Sequence, residues 1–170
     1  SRGLGDVYKR QVDYSGSLSD GTLYTVDNID DYILELRGLV KNPNYNFSLL
    51  KTSTEIISYI GIGYRYLNDD MSFDPAGYER ESNYIYSPIG IEVVNNLENG
   101  WFLETILELD IFWWGKQKSH ISNVSGYYDI ENLQTDGYGW RSSIELQKKG
   151  EKIEWGIESF IRYWSIEESK

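Results

Sequence analysis

From Trp101 to Gly115 the chain reads WFLETILELDIFWWG. Trp101, Leu103, Thr105, Leu107, Leu109, Ile111 and Trp113 fall at odd positions, and Glu104, Glu108 and Asp110 at even ones. Strict alternation puts successive side chains on opposite faces, so this stretch predicts a long β-strand with one apolar and one charged face. The same period recurs along the chain. Over 32–40, Tyr32, Leu34, Leu36 and Val40 oppose Glu35 and Arg37; over 55–67, Ile56, Ile60, Ile62, Tyr64 and Tyr66 oppose Tyr59, Gly61, Gly63 and Arg65. Over 84–94, Ile85, Ile89, Ile91 and Val93 oppose Tyr86, Pro88, Gly90 and Glu92. Over 138–148, Tyr138, Trp140, Ile144 and Leu146 oppose Arg141, Ser143, Glu145 and Gln147. Over 153–165, Ile153, Trp155, Ile157, Ile161 and Tyr163 oppose Glu154, Glu158, Phe160 and Arg162. With a weaker pattern over Tyr8 to Tyr14, about seven strands are expected.

The connections alternate in length. Residues 18–31, 68–83 and 116–136 are polar and read as long loops, whereas Glu98-Asn99-Gly100 and Lys149-Gly150 read as tight turns. Between Lys41 and Thr54 the alternation breaks at Pro43, and Thr52-Ser53-Thr54 is the expected turn. These turns put Val93 opposite Thr105 and Arg141 opposite Glu158. Pro88 cannot donate to a ladder, so a bulge or a locally open hydrogen bond is expected there. The fold class is all-β, an antiparallel up-and-down meander forming an eight-stranded-type transmembrane barrel in one domain over residues 1–170.

Which side the apolar faces take is the main question. A soluble, lipocalin-like barrel with an apolar cavity would turn them inward. Here they run nearly uninterrupted for longer than the ~5–6 residues of an average strand, and the polar faces carry glycines and paired-type charges rather than lysines. Aromatics also mark both ends of the strands. Tyr64, Tyr66, Trp113, Tyr138, Trp140 and Tyr163 lie toward the long connections, and Trp101 and Trp155 beside the short turns. From Trp101 to Trp113 a strand covers about 40 Å at ~3.3 Å per residue. A tilt of about 40° brings that to about 30 Å, close to an apolar band of ~25 Å with its aromatic girdles. The expected reading is a lipid-facing exterior.

Composition narrows the classes. The 170 residues carry a net charge of −11, which argues against a nucleic-acid surface, since that wants a basic stripe. There is no cysteine, hence no disulfide framework or thiolate metal site. Mean hydropathy is −0.51, and no run approaches the ~18 apolar residues of a membrane helix, a test to which barrels are blind. The opening SRGLGDVYKRQ has no apolar signal region. It resembles translated adapter read-through at the edge of a metagenomic fragment, which makes residues 1–11 non-native. The alternative is a native edge strand over Asp6 to Ser15.

The polar faces place Glu35, Arg37, Arg65, Glu92, Glu104, Glu108, Asp110, Arg141, Glu145, Glu154, Glu158 and Arg162 inside the barrel. Buried charges must be paired, so an ion-pair network is expected to fill and plug the lumen, which at this strand number holds only side chains. The segments GIGYRYLND, DPAGYERES, WGKQKSH and FIRYW resemble the small outer-membrane β-barrel proteins of Gram-negative bacteria, the broad porin-like, OmpA/OmpX-like group. The resemblance covers about residues 12–169 and implies eight strands, so a final strand is expected to be missing from this sequence. It also implies outer-membrane localisation and contact with lipid and lipopolysaccharide, with a surface ligand left open.

Candidate chemistry is sparse. His120 is the one histidine, flanked by Ser119 and Ser122, and a lipid A deacylase-like Ser-His-acid set is the enzymatic alternative. Asp27, Asp30 and Asp31, with Asp69, Asp70 and Asp74, lack EF-hand spacing and read as solvated loop acids. No cofactor and no metal are expected. The leading expectation is a non-enzymatic outer-membrane barrel with a structural, surface-interaction or minor porin role.

Overall fold

The computed structural model describes residues 3–17, 21–49, 52–74, 77–123, 126–150 and 153–167. It is an antiparallel meander that curls into a half-barrel. The strands are β1 (Gly3–Ser17), β2 (Leu23–Leu49), β3 (Thr52–Asp70), β4 (Glu79–Asn96), β5 (Trp101–Ser119), β6 (Ile130–Gln134), β7 (Gly137–Lys149) and β8 (Glu154–Ile166). The sheet order is β1-β2-β3-β4-β5-β7-β8, with β6 also on β5. β6 and β7 share one edge of β5: residues 101–111 of β5 pair with β7, and 115–119 with β6.

The faces are inside out relative to an ordinary core. Val40 is 73% exposed, Ile62 63% and Ile157 68%, whereas Glu35 is 2% exposed and Asp110 and Tyr86 are fully buried. A soluble barrel of the lipocalin kind needs the opposite arrangement. Burial of apolar surface between layers therefore does not hold this sheet together. Its ladders and the polar side chains of its concave face do.

Three bulges explain where the sequence pattern fails. Between β1 and β2 the register shifts after Val12↔Ile29, before Tyr14↔Val26. There Asn28 takes φ 61°, a left-handed conformation Asn tolerates, and its N–H donates to Asp13 Oδ1 at 3.1 Å. The extra residue flips the phase, so Val26 and Ile29, of opposite parity, both point inward and pack with Met71. The expected loop over 18–31 is thus mostly strand: β2 begins at Leu23.

A second bulge lies between Pro43 and Tyr45, and pairing continues to Leu49↔Thr52. The expected turn at Thr52-Ser53-Thr54 is therefore part of β3; positions 50–51 lie outside the described residues. The third bulge falls between Ile85 and Tyr86, where Trp113 is the extra residue in β5. Trp113 and Trp114 consequently both face outward, and the inward parity passes from Phe112 to Gly115 and Ser119. Pro88 itself stays in register with Asp110. On its other side the β3–β4 ladder lapses between Ile60↔Ile89 and Gly63↔Tyr86 without a register change, the open ladder expected of a proline.

The Glu98–Gly100 turn forms as expected, with Val93 opposite Thr105 and Gly100 at φ 73°. The Lys149-Gly150 turn does not. Lys149 pairs with Glu154, and the Gly150 N–H donates to the Ile153 carbonyl at 3.1 Å, so four residues make the connection. Arg141 lies opposite Arg162 rather than Glu158. That displacement is even, so every face is preserved and the hydrophobic pattern cannot register it. The long connections at 68–83 and 116–136 also shrink, since β3 runs to Asp70, β4 starts at Glu79, and β6 pairs along the end of β5.

Candidate functional site

The concave face gathers its polar side chains by a device visible in adjacent strands. Tyr59 of β3 lies opposite Gly90 of β4, and Tyr86 of β4 lies opposite Gly63 of β3. A Cβ on Gly63 would sit 2.2 Å from the Tyr86 ring, and one on Gly90 2.3 Å from the Tyr59 ring. Each glycine is a seat for a tyrosine ring, which lies flat across it and carries its hydroxyl to the centre.

Those hydroxyls meet the charges. Tyr59 donates to Glu108 Oε2 at 2.6 Å, the same oxygen that Arg37 binds from β2. Tyr86 donates to Glu35, which also receives Arg162 from β8. Arg162 Nη2 reaches Asp110 Oδ2 at 3.0 Å and the Tyr86 hydroxyl at 3.3 Å, and its guanidinium stacks 5.0 Å from the Trp164 ring. The Arg65 guanidinium lies 5.7 Å from the same ring. Lys41 pairs with Glu92. Four strands, β2, β4, β5 and β8, converge on Arg162.

Of the interior residues expected from sequence, Arg37, Glu92, Glu108, Asp110, Arg141, Glu158 and Arg162 thus sit in ion pairs. Arg141 reaches Glu158 at 3.1 Å despite lying opposite Arg162, because its long side chain extends along β8 over the Phe160 ring, 5.5 Å from its centre. Glu104 and Glu145 differ. Glu104 lies opposite Glu145, and Glu145 opposite Glu158, so three adjacent strands present carboxylates in one row. Lys41 and Trp164 escaped sequence reasoning, and Tyr59 and Tyr86, placed on the polar faces, were not assigned to the network. The glycines paired across from the two tyrosines were the available signal, but they become one only once the β3–β4 register is known.

The expected aromatics lie on the outer surface in two groups. Trp101 and Trp155 meet edge to face at 5.3 Å at the end of the short turns. Toward the other end, Tyr163 stacks on Trp140 at 6.2 Å and tilts against Tyr138 at 6.4 Å. Tyr66 contacts Tyr32 at 6.5 Å, the Tyr64 hydroxyl donates to Asn83 at 2.6 Å, and the Trp113 indole donates to Ser87 at 3.0 Å.

At that same end His120 stands between two carboxylates. Its Nε2 is 3.0 Å from Glu81 and its Nδ1 3.5 Å from Asp129. Hydrogen bonds from Tyr66 and from His120 hold the Glu81 carboxyl below its ordinary range. Asp129 is drawn down to about 2, chiefly by its bonds to Ser122, with Lys118 adding to the pull. Ser122 contributes its backbone N–H to this cluster. Among the described residues no serine hydroxyl is bonded to the imidazole, and a Ser-His-acid relay needs one there. No group of His, Asp or Glu among the described residues has the arrangement of a metal site. Comparison with protein-family models, with curated proteins and with solved structures finds no match to this chain.

Proposed function

We propose that this chain is a bacterial outer-membrane β-barrel protein, with its apolar exterior in lipid and a charged, largely plugged interior. Its role is structural, surface-interacting or that of a minor porin, and it performs no catalysis. One observation carries the reading: carboxylates and arginines are buried on the concave face while leucine, isoleucine and valine cover the convex one. Water on the convex side would leave an apolar surface far larger than the few hundred Å² that soluble monomers expose. Lipid removes that cost, and Trp and Tyr at the two ends of the strands suit the two interfaces.

The interior favours side-chain filling over flow. Arg162 spans from β8 to Glu35 and Asp110, and Tyr59 and Tyr86 reach the centre from the opposite wall, so conductance in a planar bilayer is small. Lipopolysaccharide and lipid are the partners this surface suits.

The test is partition. The protein should refold only with detergent or lipid, and brominated acyl chains should quench Trp113, Trp140 and Trp155 fluorescence. A monomer that stays folded at high concentration in plain buffer, its tryptophans untouched by brominated lipid, would overturn the proposal.

A further inference from the structure

β4, β5 and β6 lie side by side at the long-connection end of the sheet. Glu81 of β4 stands opposite Lys118 of β5, and Lys118 opposite Glu131 of β6. β6 is short, and five residue pairs, from Gly115↔Gln134 to Ser119↔Ile130, make its ladder with β5. Ion pairs reinforce that ladder: Lys116 meets Glu131 at 2.8 Å, and Lys118 meets Asp129 at 3.4 Å. His120 directly follows β5, and its N–H donates to the Glu79 carbonyl at 2.9 Å, prolonging the contact with β4. The imidazole is thereby set between β4 on one side and the entry to β6 on the other.

Both ring nitrogens face acceptors. Nε2 lies 3.0 Å from Glu81 Oε2, and Nδ1 lies 3.5 Å from Asp129 Oδ2. The second Glu81 oxygen accepts from the Tyr66 hydroxyl of β3 at 2.7 Å, and the second Asp129 oxygen from the Ser122 N–H at 3.1 Å. Both carboxyls are held below their ordinary range, so near neutral pH neither has a proton to donate. A neutral imidazole carries one N–H and one lone pair, whereas the imidazolium donates from both nitrogens. In the neutral ring the shorter contact, to Glu81, keeps the N–H, and the Nδ1 lone pair is left against an Asp129 oxygen. One attraction becomes a repulsion.

The remaining charges around the ring temper this change without replacing it. Lys118 of β5 shares Asp129, Glu79 of β4 accepts from Asn68 of β3 at 2.6 Å, and Glu131 of β6 is held by Lys116. Histidine is the side chain that ordinarily changes charge between pH 5 and 8, and His120 is the one histidine in the chain.

We propose that His120 is a proton-operated latch. As imidazolium it ties Asp129, at the entry to β6, across the end of β5 to Glu81 of β4; as neutral imidazole it lets that junction loosen. Tyr127 and Tyr128, 62% and 87% exposed, come directly before Asp129, so the latch sets how firmly two outlying aromatics are anchored. A contact that favours the protonated state of the ring stabilises at low pH and is lost as the pH rises. Below the carboxylate range the junction weakens for a second reason, the loss of its acceptors, so it is firmest in between.

The experiment is NMR-detected amide exchange on the whole chain folded in detergent micelles. The Ser122 N–H is the direct reporter, because it donates to Asp129. Its protection relative to the intrinsic exchange rate should fall about threefold from about pH 5 to about pH 8, together with that of residues 130 and 131, while residues 103–111 keep theirs. His120→Gln has no proton to gain and should remove the step, staying at the lower protection throughout. If that variant fails to fold, the profile of the unaltered chain still decides. Protection at Ser122 that is equal or greater at the higher pH, an equal fall over residues 103–111, or a step that survives in His120→Gln would overturn the latch. The assay reads a charge cluster and not lipid, and a chain that stayed folded in plain buffer is measured in the same way. Failure of the latch therefore leaves the membrane proposal standing, and failure of the membrane proposal leaves the latch.

Discussion

The Arg162 cluster and the Glu104–Glu145–Glu158 row share one concave wall, with Arg162 and Glu158 on the same strand, yet they handle interior charge in opposite ways. At Arg162 a cation from β8 meets carboxylates from β2 and β5 and a hydroxyl from β4. In the acidic row, neighbours on three adjacent strands carry the same sign, and Arg141 pairs with one of them. Residues side by side on one wall are set by register. Partners on opposite walls are set by curl. The first cluster joins the two walls by direct ion pairs, whereas the second faces Arg37 and Lys41 of β2 across a cavity of about 280 Å³.

The contrast can be broken most severely at its hub. Arg162→Ala leaves Glu35 and Asp110 buried without their cation, a loss of about 3–5 kcal/mol that urea unfolding in lipid vesicles should show. A loss under about 1 kcal/mol would mean water pairs these groups as well as the arginine does. Next comes Tyr86→Phe, which removes only the donor to Glu35 and should cost about 1–3 kcal/mol in the same assay. Arg141→Ala should destabilise by about 1 kcal/mol through its pair with Glu158, and by more than Lys148→Ala on the surface. Equal midpoints for those two variants would count against an internal network.

The acidic row should respond with the opposite sign. Glu145→Gln relieves two like-charge neighbours and should stabilise by roughly 0.2–1 kcal/mol. A destabilisation of that size would show that the row is balanced by groups beyond those described.

The smallest effect lies at the long-connection end of the strands, at the cluster of Glu81, His120 and Asp129. Both carboxyls have folded-state values below their ordinary ones. Each contribution is therefore fully present above the ordinary carboxylate range of about 4. It is lost as the pH falls through the folded value, which for Asp129 is about 2. Amide protection relative to the intrinsic exchange rate should fall over residues 118–123 between about pH 4 and pH 2, while β5 residues 103–111 keep theirs. An equal fall in both segments would remove the distinction between this cluster and the middle of the wall.

Much of the wall was legible beforehand, and for a definite reason. Period two is a local signal, so the faces of the strands around Leu36, Ile62, Leu107 and Ile157 followed from neighbours in sequence, as did the Glu98–Gly100 turn and the Val93–Thr105 register it sets. The signal failed wherever an extra residue reset the phase. At Asn28 a strand was mistaken for a loop, and near Trp113 two adjacent tryptophans came to share the outer surface.

The sequence by itself determined that this chain makes an antiparallel meander with one apolar and one charged face per strand, because alternation needs no knowledge of partners. Only the tertiary structure decided where the β7–β8 ladder settles, since a displacement from Glu158 to Arg162 opposite Arg141 leaves every face unchanged. It alone decided that the charged faces line the concave side, that Arg162 reaches Glu35 and Asp110 across the interior, and that Glu104, Glu145 and Glu158 fall in one row. Those facts depend on how far the sheet curls and in which direction, and curl is a property of the assembled strands that no single strand encodes.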